Sequence, residues 1–416
     1  MQHNLTPRPK SPAAGRSLLM YTICHLLTDT LCFFFLFGSL LPFINGQGHS
    51  VWALPVLVIY NGLAFGLQFI WGLLADRFPK LPTGLIGMSL IGLGFLPRLI
   101  TQSPSGLPIY IVTLILIGSG NSAFHVEGGR DSLSRANGSE SRTGIYAAGG
   151  AAGVMIGTAL GTVPFARYFL FPLWLAALIA LRWLKREAIR AQDPYFSVAL
   201  ESTPYIAGSF QMPITGTASP FPPLQSLDSA RTAKVPGSLA VIATLFFFVQ
   251  TLFIPSPAAL AVRPDFTVLP LPTMFIFILA TLLTASRLVG GFITYRLSAT
   301  PFMLLAAFST LPLLIPTGKS LWGIFLQAFA LGVPTAWAAF QYYRVMPNRP
   351  ALAYSLQKLP MFAAAFLLVI QQVLPISGHA VFGGTLLRNT MLILTWTSML
   401  IIWIVCQRKN LKMEGI

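Results

Sequence analysis

Apolar residues run along this chain in stretches of roughly 20, the length that crosses a bilayer core as a helix. They lie near 17–43, 51–75, 83–101, 107–129, 143–163 and 164–184. After a polar gap six more follow, near 237–257, 270–295, 300–317, 320–343, 350–374 and 380–406. Six and six predict an all-α integral membrane protein of twelve transmembrane helices. The plan is a tail over 1–16, a six-helix bundle over 17–184, a Pro/Ser-rich linker over 185–236, a second bundle over 237–406 and a tail over 407–416. Arg8, Lys10 and Arg16 precede the first stretch as in a secretory signal, but the apolar run is too long and no small-x-small cleavage site follows, so the helix is retained.

Composition agrees. Hydrophobic residues make up 55% of the 416 and charged residues 9%, against about 25% charged in soluble proteins, and the mean hydropathy is +0.71. A water-soluble globule is excluded. The 35 Gly and 32 Pro lie inside apolar runs, as membrane helices allow. The formal charge of +16 recurs at helix ends and forms no single patch, so nucleic acid is not a partner. With the N-terminus inside, twenty cations fall on inner loops and ends, while Arg98, Arg167, Arg263 and Lys319 fall outside. That asymmetry places both termini and the linker in the cytoplasm of a bacterial inner membrane. The expected partners are the lipid bilayer and a small-molecule substrate, and a monomer is expected. Cys24 and Cys32 lie on one helix about 12 Å apart, too far for a disulfide.

The halves are related. A shift of 219 residues sets Gly72-Leu-Leu-Ala-Asp76-Arg77 over Gly291-Phe-Ile-Thr-Tyr295-Arg296, and two related bundles about a central cavity suit alternating access. The run Gly72 to Lys80 resembles the signature loop of the major facilitator superfamily, G-x-x-x-D-R-x-x-[RK], with Pro79 in place of the usual Gly. The resemblance implies that Asp76, Arg77 and Lys80 gate the switch between states; Gly72 lets helices approach closely there, and Arg130, near the cytoplasmic end of its span, is a further gating candidate. Cys24-His25-Leu-Leu-Thr-Asp29 resembles the S-H-L-L-N-D segment of the fosmidomycin-resistance branch. Gly118 to Arg130 resembles that branch's G-T-G-S-S-x-F-H-P-E-x-x-R, with Val126 for the Pro.

Ionisable residues at membrane depth are costly and therefore functional candidates. His25 and Asp29 share a helix face, about 12 and 18 Å along the axis from Ser17, which puts Asp29 near the midplane. A lone carboxylate there is the expected carrier of a coupling proton, with His25 beside it. Glu127 is a second proton candidate or a gate, paired with Arg130 three residues on. In the second half Arg287, Lys358 and Arg388 are the candidate cavity cations, with Gln68 as the repeat mate of Arg287. If any of them faces the cavity, an anionic substrate group is favoured. Gly149, Gly153, Gly157 and Gly161 form a groove for close helix packing. No metal and no cofactor is expected, since His25 and Asp29 lack a further ligand and the energy source is the proton gradient.

The function expected is proton-coupled efflux of a small organic compound by antiport. The same features leave open uptake of an organic acid by proton symport, and in another class a membrane sensor, scaffold or embedded enzyme. No nucleophile and base set lies at membrane depth to support an enzyme.

Overall fold

The computed structural model describes residues 12–49, 52–100, 106–135, 140–190, 272–293 and 332–360, with single helical positions among 240–248, at 329 and among 362–404. The expected spans near 237–257, 300–317 and 380–406, most of the linker, both tail ends, Tyr295, Arg296, His379 and Arg388 lie outside the described residues or largely so.

Six helices among the described residues are long and apolar enough to cross a membrane, at Gly15–Gly46, Pro55–Arg77, Thr83–Ile100, Leu107–Ser134, Ser141–Leu160 and Arg167–Glu187. The first is α1 (Pro12–Phe35), a π-helical turn at Leu36–Leu40, and α2 (Leu41–Gly46). Pro42 explains the turn. It has no N–H to donate, and its ring crowds the carbonyl four residues back, that of Gly38. That carbonyl accepts a bond from Arg98 Nη2 at 2.8 Å.

The second span is α3 (Ala53–Asn61), a π-helical turn at Gly62–Gly66, and α4 (Gln68–Arg77). Then come α5 (Thr83–Ile100), α6 (Leu107–Ser134), α7 (Ser141–Leu160) and α8 (Arg167–Arg190). With Val126 where a Pro would stand, α6 runs unbroken. Helix α8 continues to Arg190, past the expected end of the sixth span at 184. From the second half come α9 (Pro272–Ile293), α10 (Thr335–Val345) and α11 (Pro350–Leu356).

The glycine groove of α7 lies against α1. A Cβ added at Gly153 would meet the Leu26 carbonyl and approach Asp29 Cβ to 2.9 Å, while Gly157 faces the Thr30 carbonyl and Gly161 faces Gly38. Gly149 sits over Thr22 in the same row. Only a residue without Cβ lets the two backbones come this near. The repeat mates Gly72 and Gly291 both lie where the halves cross. Gly72 packs on Ser355 and Ala351 of α11, and Gly291 on Gly144 of α7. Phe33, Phe34 and Phe35 are all buried in the core.

Candidate functional site

Asp29 lies buried in the middle of α1. His25, one turn earlier on the same face, brings Nε2 to 3.3 Å from Asp29 Oδ2. On the other oxygen α6 presents two groups four residues apart. Asn121 Nδ2 donates to Oδ1 at 2.7 Å, and His125 Nε2 stands 3.4 Å away. The carboxylate is therefore not alone, as the sequence suggested, but sits between two imidazoles. The rings lock together, His25 stacked on Tyr146 with centroids 4.3 Å apart and edge-on to His125 at 4.4 Å. Gly150 leaves them room, since a Cβ there would stand 2.7 Å from Asp29 Oδ2.

The hydrogen bonds fix the tautomers. His25 Nδ1 lies 2.7 Å from the backbone oxygen of Tyr146. A carbonyl oxygen only accepts, so Nδ1 carries a hydrogen. In a neutral His25 the Nε2 lone pair would then face the lone pairs of an ionised Asp29 at 3.3 Å. One further proton removes the conflict, on Nε2 or on Oδ2. His125 differs. Its Nδ1 accepts from Gln68 Nε2 at 3.1 Å, while the same Gln68 amide donates to the Ala64 carbonyl at 2.9 Å. His125 therefore carries its hydrogen on Nε2 and is neutral.

Gln68 consequently supports His125 from behind and is not paired with Arg287. Arg287 of α9 donates from Nη1 to the Ala147 carbonyl at 2.9 Å, and its Nε is without a hydrogen-bond partner. Lys358, just past α11, holds Nζ 5.8 Å from the Phe65 ring and 5.9 Å from that of Tyr354. Phe65 belongs to the π-helical turn of the second span and stacks on His125 with centroids 5.9 Å apart. Arg287, Lys358 and Tyr354 all feel the charge of Asp29. Among the described residues neither cation forms an ion pair, and both side chains are partly exposed. Arg388 lies outside the described residues.

His125 also supplies the ligand that a metal site on His25 and Asp29 lacked in the sequence. The three donor atoms lie within 4.8 Å of one another. Two cations share their field, however, and a proton satisfies the His25 and Asp29 lone pairs without adding a second charge.

Glu127 takes a different part from the one expected. Its partner is Lys185 of α8, in a close ion pair, and not Arg130. Tyr21 Oη donates to its Oε1 at 2.6 Å, and the Gly84 N–H and Thr83 Oγ1 donate to Oε2 at 2.6 and 3.3 Å. So many fixed donors hold the carboxylate ionised and make it a tie between α1, α5, α6 and α8. Arg130 Nη1 instead reaches the Ala75 carbonyl at 3.4 Å. The i, i+3 spacing of Glu127 and Arg130 permits a pair, but Lys185 arrives from another helix and competes for it.

At the end of α4, Asp76 accepts from the N–H groups of Ala351 and Leu352 at 3.2 and 2.8 Å. These are orphan donors at the start of α11, where an anion is favoured. Arg77 lies over the Phe78 ring at 5.6 Å, and Lys80 is exposed. The other crossing of the halves carries Glu140, between α6 and α7, with Arg344 of α10 as the charge acting on it. Burial pushes its carboxyl up from the ordinary value.

No family model matches the chain, and no curated protein does. Solved structures do. The human organic anion transporter MFSD10 (TETRAN) superposes with a TM-score of 0.62 at 15% identity, over 93% of this chain and 99% of that one. A bacterial homologue of the iron transporter ferroportin, in an outward-facing state, gives 0.55 at 14%, over 97% and 100%. The E. coli fucose:proton symporter gives 0.54 at 12%, over 94% and 97%. At such identities the likeness speaks for the fold. It is an all-α membrane fold shared with these transporters, as the apolar spans predict.

Proposed function

We propose that this chain is a proton-coupled secondary transporter of a small organic compound, working by alternating access between its two halves. The observation that carries the reading is the His25 and Asp29 contact, in which two lone pairs meet unless a proton lies between them. A transporter needs such a group at the junction of its halves, able to hold a proton in one state and release it in another. Arg287 and Lys358 of the second half lie within electrostatic reach of it. The resemblance of Cys24 to Asp29 and of Gly118 to Arg130 to the fosmidomycin-resistance branch favours export by antiport. The cationic chamber favours the alternative, symport of an organic acid.

The test uses purified protein in liposomes with a trapped pH dye and a panel of sugars, amino acids, carboxylates and phosphonates. A solute that moves protons with it, and that accumulates under an imposed pH gradient, is the expected result. Solute movement indifferent to pH throughout the panel refutes the reading.

Two further outcomes are expected. Asp76→Ala removes both acceptors from α11, and with about 1.5–3 kcal/mol for a charged hydrogen bond the closed junction is depopulated at least tenfold. Spin labels at Lys80 and Asn348 should then show a longer distance, and an unchanged distribution would deny that Asp76 holds α4 to α11. A single cysteine at His49, exposed after α2, should react with an impermeant thiol reagent in whole cells. Cysteines placed over 191–236 should not, and the reverse pattern would invert the orientation.

A further inference from the structure

Arg287 and Lys358 of the second half lie close enough to Asp29 of the first to feel its charge. Neither cation has an acid of its own among the described residues. The free edge of Arg287 is informative. Nη1 is spent on Ala147, and the unpartnered Nε lies on the edge of the guanidinium that, with Nη2, grips a carboxylate or phosphonate in parallel bonds. Lys358 adds a compact charge, and the rings of Phe65 and Tyr354 next to it form an apolar wall. A buried donor without a protein partner, as Arg287 Nε is, calls for an acceptor from outside the chain.

We infer that Arg287 and Lys358 form the head-group subsite for a small organic anion of the carboxylate or phosphonate class, and that anion and proton are carried together. The inference rests on the proton-carrier reading of His25 and Asp29. The groups facing Asp29 can be counted by element. On α1 and α3 they are His25, Cys32 and Tyr60, and on α6 and α7 His125 and Tyr146. From the second half come Arg287, Tyr354 and Lys358. The phenols, the thiol and His125 are neutral. With its shared proton the His25 and Asp29 pair is neutral too, and the two cations stand uncompensated. Loss of the proton leaves a negative charge in the same chamber, in competition with the anion for Arg287 and Lys358. The anion therefore binds better when the proton is aboard, and by reciprocity the proton binds better beside the anion. Such mutual support drives both species across together. Antiport would need each to expel the other.

The experiment uses the full chain in detergent and in liposomes, with lactate, succinate and phosphonoacetate as anionic probes, glucose as the neutral one and choline as the cationic one. At least one anion should bind, with affinity falling by up to tenfold per pH unit as pH rises through the titration of the pair. An acidic exterior should drive that anion inward. Arg287→Gln should weaken binding at least tenfold at every pH, and Arg287→Lys should recover part of it. Lys358→Gln, an independent variant, should weaken binding severalfold, all variants being compared as monodisperse protein by gel filtration. Asp29→Asn should keep the binding and flatten its pH dependence. Uptake of glucose or choline driven by pH, with no anion bound, overturns the inference while leaving the proton-carrier reading intact. Affinity that rises with pH overturns joint carriage. Anion binding indifferent to pH in the parent protein sinks this inference and the proposed function together.

Discussion

Asp29→Asn should abolish concentrative transport while sparing downhill exchange. One pH unit amounts to about 1.4 kcal/mol per proton, so the parent protein can hold roughly a tenfold solute gradient per coupled proton. The variant should relax to a ratio of about one. The geometry explains why the loss is selective. An asparagine amide nitrogen in the place of Oδ2 donates to the His25 Nε2 lone pair, and its oxygen still accepts from Asn121. The variant thus mimics the proton-loaded pair with the His25 and Asn121 contacts kept, and only the change of charge is lost. A merely structural Asp29 would lose both kinds of movement together or neither. Accumulation by Asp29→Asn equal to the parent's would end the case for this residue, and Glu127, tied to Lys185, is no ready substitute.

Gly153→Leu should destroy the protein's assembly more thoroughly than any change of charge. The new side chain would start against the Leu26 carbonyl and 2.9 Å from Asp29 Cβ, and a helix backbone cannot yield as a flexible side chain does. Overpacking of this kind costs about 1–3 kcal/mol, and more where backbone must move. The expected readout is a large fall in monodisperse yield and a melting transition several degrees lower, with Gly153→Ala between the variant and the parent. A well-behaved Gly153→Leu protein would mean that α1 and α7 separate freely. The effect should extend to the site, because the same crossing sets the distance from Gly150 to His25 and Asp29.

What could be read in the sequence was local or periodic. Apolar runs gave the six spans of the first half to within a few residues, since length alone decides whether a helix crosses a bilayer. The glycine spacing on α7 announced a close crossing, although the partner helix could not be named. His25 and Asp29 were visible because an i, i+4 pair requires no knowledge of other helices. His125 escaped for the opposite reason. It lies 96 positions beyond Asp29, and its spacing from Glu127 suggested only that it points away from that residue. The phrase Phe124-His125 within the Gly118 to Arg130 motif was the signal available. Lys185 was misjudged on similar grounds, because a cation near the end of a span looks topogenic until its helix is seen to carry it to Glu127. The π-helical turn at Gly62–Gly66 left no mark in hydropathy, since an extra residue in a turn alters register and not composition.

The bond from Arg98 to the Gly38 carbonyl bears on how the chain is counted for orientation. Arg98 is one of the four cations that the sequence assigns to the outer side, yet it is 6% exposed and serves as the donor that Pro42 made necessary. Arg167, another of the four, is 3% exposed and turns its guanidinium onto the Tyr168 hydroxyl at 2.8 Å. Neither presents its charge to lipid headgroups in the finished fold. Two of the four cations that the sequence assigns to the outer side are thus internal fittings of the bundle, and they add nothing to the charge of its surface.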